Sequence, residues 1–136
     1  MFYFLKLYGL TLLGFFAIDM AWLGVVARSF YQQRLGDLDL LRDKPNWYAA
    51  IVFYLLFVAG LLVFAVLPGL QSESVRKTLL LGAFFGLVTY ATYDLTNMAT
   101  IKDWPLVVTV VDMIWGLVLA TAVSGIGFMA GRWLQG

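Results

Sequence analysis

Four apolar runs, each about as long as a bilayer is thick, constrain what this chain can become. Leu7 to Ala27 holds 21 residues and a single charge, Asp19. Trp47 to Leu67 holds 21 and no charge; Thr78 to Met98 holds 21 and one, Asp94. Pro105 to Ala130 holds 26 and one, Asp112. Crossing the hydrocarbon takes roughly 20 helical residues, so every run is long enough. None shows the period-two alternation of a barrel strand. The expected fold is all-α: a polytopic, multi-pass membrane protein built as one four-transmembrane-helix bundle over 1–136, with helices at about 4–27, 47–67, 77–99 and 105–132. Composition agrees, because the chain is 62% hydrophobic and only 12% charged, too little charge to cover a soluble domain. The first helix reads as retained rather than cleaved. Only Lys6 precedes its apolar stretch, which passes Asp19 without a small-x-small cleavage site.

The connections are short. Arg28 to Asn46 is the longest, with four basic and three acidic residues interleaved with Phe30, Tyr31, Leu35, Leu38, Leu40 and Leu41. A short interfacial helix and a solvated loop are both compatible with that pattern. Pro68-Gly69 reads as the stop of the second helix, and Pro105 as a first-turn residue of the fourth. Flanking charge hardly decides orientation. Arg28, Arg34, Arg42, Lys44 and Lys102 lie on one face, and Lys6, Arg76, Lys77 and Arg132 on the other. Insertion in both senses stays open; both termini are placed in the cytoplasm, as is usual for small proteins with an even number of spans. Trp47 and Trp104 on one side and Trp133 on the other suit interfacial belts. Gly116, Ala120 and Ser124 share a face of the fourth helix, followed by Gly127 and Gly131, and the third helix carries Gly82 and Gly86. Small residues at such spacing let helix backbones approach in lipid, so packing is their expected role. The Gly125–Gly131 run has the wrong spacing for a nucleotide fingerprint.

Absent residue types remove whole chemistries. Without cysteine there is no disulfide, thiol catalysis, iron–sulfur cluster or thiolate zinc site. Without histidine the usual haem, zinc and copper ligand and the usual neutral-pH acid/base are gone. No cofactor and no metal site is expected. A net charge of +1 gives no bulk attraction to nucleic acid. Any chemistry runs on carboxylates, hydroxyls, tyrosines, amides and amines.

The informative residues are Asp19, Asp94 and Asp112. A carboxylate inside a membrane helix costs roughly 2.5–3.5 kcal/mol by insertion scales and needs a reason. By helix rise, Asp19 lies about 13 Å before Arg28, Asp94 about 9 Å before Thr100, and Asp112 about 10 Å after Pro105. Given the alternating direction of the helices, all three fall in the same half of the membrane at similar depth. Asp19 and Asp112 also share an Asp-Met-x-Trp tetrapeptide, ending at Trp22 and Trp115. Three-residue spacing puts each pair on one helix face. Thr11, Phe15, Asp19 and Trp22 line one stripe; Gly86, Tyr90, Asp94 and Asn97 another; Asp112, Trp115 and Gly116 a third. The expected site is a pocket floored by carboxylates, opening toward the first and third connections, with Trp47, Tyr48 and Tyr54 at its rim and wall.

Several of these segments carry a family likeness. They are Asp19 with Trp22-Leu23-Gly24, Phe30-Tyr31 with Leu35-Gly36, Lys44-Pro45-Asn46, Phe53-Tyr54-Leu55, and Asp112 with Trp115-Gly116. The most specific is Tyr90-Ala91-Thr92-Tyr93-Asp94-Leu95-Thr96-Asn97, with Ala99-Thr100 and Trp104-Pro105. Along nearly its whole length the chain resembles the uncharacterised bacterial membrane-protein family called domain of unknown function 2177. The resemblance implies a four-helix protein of a bacterial inner membrane and brings no activity with it.

Three functional classes are open from the residues. Three carboxylates in one low-dielectric pocket do not all ionise easily, so at least one carries a proton near neutrality. A proton-coupled site that binds or transports a small cationic or amphipathic ligand follows, with Asp19, Trp22, Tyr54, Tyr90, Asp94, Asn97, Asp112 and Trp115 as its lining. Small size, four helices and a membrane acid on the first resemble small multidrug-resistance exporters in architecture alone, since their motifs are absent. The second class is a cofactor-free enzyme acting on a lipid or isoprenoid, with Asp19, Asp94 and Asp112 as candidate acid/base residues. Carboxylate-only magnesium binding of a diphosphate stays open there, although clustered arginines are missing at that depth. The third is a structural or accessory subunit, in which the carboxyls are hydrogen-bonded across helices, Asp94 to nearby Thr or Trp donors for example. Membrane lipids, a small-molecule or lipid ligand and a homo-oligomeric partner are the expected associates.

Overall fold

The computed structural model describes residues 2–35 and 46–136, and within them every regular element is helical. The first span begins as α1 (Phe2–Ala21), passes through a π-helical segment (Trp22–Ala27) and continues as α2 (Arg28–Leu35). The second comprises α3 (Trp47–Leu61), a π segment (Leu62–Val66) and α4 (Leu67–Gln71). The third is α5 (Val75–Thr100) and the fourth α6 (Leu106–Gln135). Four stretches are long and apolar enough to cross a membrane: Phe2–Gly24, Trp47–Gln71, Val75–Thr100 and Leu106–Gln135.

Three boundaries differ from expectation. Helix continues past Ala27 to Leu35, since nothing in Arg28–Leu35 breaks it before Gly36; the rest of that connection lies outside the described residues. More telling, Pro68-Gly69 does not stop the second span. Proline in a helix interior lacks an N–H and crowds the carbonyl four residues earlier. Here the preceding turn is opened to π geometry, with the Leu67 N–H donating to the Leu62 carbonyl, and the helix runs on to Gln71. The true stop is a Schellman motif. The Ser74 N–H donates to the Gly69 carbonyl at 2.9 Å and the Glu73 N–H to the Leu70 carbonyl at 3.1 Å. Glu73 occupies the left-handed position with φ 53°, a place that glycine usually takes. Ser74 then caps α5, its side chain accepting from the Lys77 N–H, and Asn46 caps α3 in the same way. Pro105 precedes α6 as its cap residue rather than entering the first turn.

The α6 helix is the centre of the bundle, burying a face that runs from Val108 to Gly131 against all three other spans. One core cluster joins Phe15, Tyr54, Phe57, Val58, Leu61, Leu119, Ala120 and Val123, with Phe85 and Tyr90 packed on it. A second, toward the chain termini, joins Leu7, Leu62, Val66, Leu70 and Phe128. In lipid there is no hydrophobic drive to bring helices together, so close van der Waals packing must do it. The glycines make this possible. A Cβ on Gly86 would stand 2.5 Å from the Ala120 Cβ, and one on Gly82 2.7 Å from the Ser124 Cβ. Likewise Gly127 admits Val66 at 2.9 Å and Gly131 admits Leu70 at 2.5 Å.

Gly86→Ala is therefore expected to cost about 1–3 kcal/mol through overpacking against α6. Gly9, whose Cβ would meet nothing within 4 Å, provides the control. Thermal melts of the two alanine variants in one detergent test this. Gly86→Ala melting together with the parent would refute the packing account.

Candidate functional site: an acidic and aromatic cluster on three spans

Helix register delivers each carboxylate. On α1 the buried stripe Leu7, Thr11, Phe15 and Asp19 repeats every fourth residue. On α5 the buried positions Thr78, Gly82, Gly86 and Asp94 follow the same period, with Tyr90 half-buried between the last two. On α6 Thr109 and Gly116 are buried and Asp112 between them is half-buried. Because α5 and α6 touch through Gly86, Gly116 and Ala120, Tyr90 is laid against Gly116. In the following turns Asp94 and Asp112 face each other.

The polar groups form a string more than a ring. The Asp94 carboxyl faces that of Asp112 at hydrogen-bonding range, and Asp112 lies within electrostatic reach of Asp19. The Tyr54 hydroxyl and the Trp115 indole donate toward Asp19. Tyr90 lies within reach of all three carboxyls and of Tyr54. Trp22 stacks on Trp115 with ring centroids 4.3 Å apart and planes 9° from parallel. The Trp22 indole nitrogen is buried without a hydrogen-bond partner.

Asp94 is the most telling of these residues. Its exposure is 0%, and no donor reaches either of its carboxyl oxygens. The donors that would make it a structural hydrogen-bonding residue are engaged elsewhere. Trp104 Nε1 donates to Thr109 Oγ1 at 3.0 Å, and the Thr109 hydroxyl donates, at 3.5 Å, to the backbone carbonyl of Asp94 rather than its side chain. A carboxyl pair can hydrogen-bond only when it shares a proton. Among the residues whose side chains are described, no Lys or Arg faces Asp19 or Asp94; the side chains of Arg28 and Lys44 lie outside that set. Nor, among the described residues, do three acidic side chains lie close enough to ligate one metal ion.

Other positions fall differently from the sequence reading. Asn97, half-buried, pairs with the exposed Tyr93 and not with the carboxyls. Trp47 and Tyr48, read as rim, are 51% and 88% exposed at the start of α3. They stand outside because the inward face of that helix begins at Tyr54 and continues through Phe57, Val58 and Leu61. Trp104 is not part of a belt: it is 9% exposed, folded over Val108 and edge-on to Tyr93 at 6.2 Å. The indole N–H finds Thr109 only in that inward position. Sequence reasoning passed over Thr109, although its place three residues before Asp112 puts it on the same face.

A family described as Predicted membrane protein (DUF2177) matches residues 4–129 of the chain. No curated protein and no solved structure matches it.

Thr109→Val keeps the side-chain shape but leaves the buried Trp104 N–H without an acceptor, an expected cost of about 1–3 kcal/mol. Thr121, whose hydroxyl only bonds back to the Leu117 carbonyl at 2.6 Å, should tolerate the same change. Detergent melts of the two valine variants compare them, and equal melting would show that the Trp104–Thr109 contact does not hold the site.

Proposed function

The chain belongs to this family of predicted membrane proteins, and from that premise we propose that it is a bacterial inner-membrane protein that binds a small cationic, amphipathic ligand and exchanges it for protons. The observation that carries the reading is Asp94: fully buried, reached by no donor, and facing a second carboxyl. A group in that position is stable only with a positive charge beside it. A proton fills the role in the resting protein, and an organic cation is its natural competitor. Carboxyls supply the counter-charge, while the faces of Tyr90, Tyr54 and the stacked Trp22 and Trp115 attract cations through their ring quadrupoles. Intramembrane acids on separate helices that pair with one another are the usual markers of ion and proton pathways. A purely structural role is disfavoured by the same observation, since the available Thr and Trp donors bypass the Asp94 carboxyl. No specific contact favours the lipid-enzyme reading.

Tetraphenylphosphonium, a hydrophobic cation, serves as the probe. It should raise the melting temperature of the detergent-solubilised parent and release protons into weakly buffered solution. In liposomes carrying an interior pH dye, it should drive proton flux. Asp94→Asn should fold and lose all three responses, because the neutral amide removes the charge while keeping the shape. If the triple variant Asp19→Asn, Asp94→Asn, Asp112→Asn retains the parent's responses, the proposal is wrong. A parent inert to the probe, with asparagine variants more stable than it, would establish the structural role instead.

A further inference from the structure

An open apolar groove of about 790 Å³ lies on the outside of the bundle, at the end away from the carboxyls. Its floor is the outer face of α6, with Gly125, Ile126 and Met129. Leu10 of α1 forms one wall and Leu79 of α5 the other, with Val75 and the exposed Trp133 at its outer end. The small residue at Gly125 keeps the floor low, since a Cβ there would already touch Leu79 at 3.3 Å.

The outer end of the groove is cationic. Lys6 stands four residues before Leu10, hence on the same face of α1, and Arg76 follows Val75 in the first turn of α5; both are exposed. The neighbouring cations are turned elsewhere: Lys77 Nζ donates to Ser72 Oγ at 3.0 Å, and the Arg132 guanidinium lies over the Phe128 ring. At this end of the molecule Glu73 is the one acidic side chain in the sequence, against Lys6, Arg76, Lys77 and Arg132. An apolar trough with an exposed cation one turn from Leu10 and another next to Val75, beside the exposed Trp133, suits an acyl chain carrying an anionic headgroup. A second copy of the chain fits less well. A two-fold contact on this face would bring Lys6 and Arg76 toward their own counterparts, with no acid in the lining to answer them.

We propose that this groove is a binding site for an anionic phospholipid, one acyl chain lying along α6 and the phosphate held between Lys6 and Arg76. The site is independent of the carboxyl cluster, so Asp94→Asn should leave it intact. Native mass spectrometry of the full chain, with equimolar phosphatidylglycerol and phosphatidylcholine, reads it directly. The parent should retain phosphatidylglycerol preferentially, by about fivefold for each basic residue at the headgroup. The double variant Lys6→Gln, Arg76→Gln should bind the two lipids equally. Gly125→Leu, which raises the floor, should lose both; the exposed glutamine pair keeps the test valid if that variant does not fold. Equal retention by the parent, or a preference that survives in the glutamine pair, would overturn the proposal. So would efficient crosslinking through Met129→Cys, a lone thiol in a cysteine-free chain, at high lipid dilution, because it would put a second copy in the groove.

Discussion

Inside a bilayer a polar group has no water to turn to, and that constraint organises the polar side chains of this bundle. Most threonine hydroxyls in the described spans are satisfied within one helical turn. Thr11 donates to the Leu7 carbonyl, Thr92 to Val88 and Thr100 to Thr96. Tyr8 reaches across to the Leu55 carbonyl at 2.7 Å, and Tyr3 to that of Gly131. Against that background the buried atoms without partners among the described residues stand out: the Asp94 oxygens, the Trp22 indole nitrogen and the Ser124 hydroxyl. Two of these three groups belong to the acidic and aromatic cluster.

The glycine contacts and the cluster are parts of one arrangement. Close approach of α5 and α6 at Gly86 and Gly116 brings the two backbones together where Tyr90 must lie flat against α6. The helices continue from that contact toward the Asp94–Asp112 pair, so the distance between the carboxyls is inherited from the absence of side chains a turn or two away. Aromatic packing of Phe15 on Tyr54, ring centroids 5.1 Å apart, does the same for the first and second spans and sets Tyr54 against Asp19. Charge is thus positioned by the packing of uncharged side chains.

Much of this was legible from residue order alone. Run length gave the four spans, and helical rise with alternating direction put Asp19, Asp94 and Asp112 at one depth. The four-residue repeat of Thr11, Phe15 and Asp19 pointed to the inward face of α1. What escaped depends on contacts that periodicity does not encode. Pro68 looked like a terminus because local rules hold for regular α-helix, whereas a π turn absorbs the missing N–H. Trp104 looked like a belt residue because tryptophan at a span end usually is one; a single hydroxyl five residues on, Thr109, draws it inward. Trp47 and Tyr48 have the right composition for a rim, and their register on α3 turns them outward.

The π segment at Trp22–Ala27 has a consequence of its own. One residue beyond the α repeat turns everything after it by about 100° around the helix axis. The inward stripe ending at Asp19 and the stretch leading to α2 are therefore out of phase, with the Trp22–Trp115 stack at the seam. Excising a single residue there would leave the span long enough and Asp19 in place, yet swing the far half of the helix to a new azimuth. Residue count, to within one, thereby sets the direction in which Arg28–Leu35 leaves the cluster.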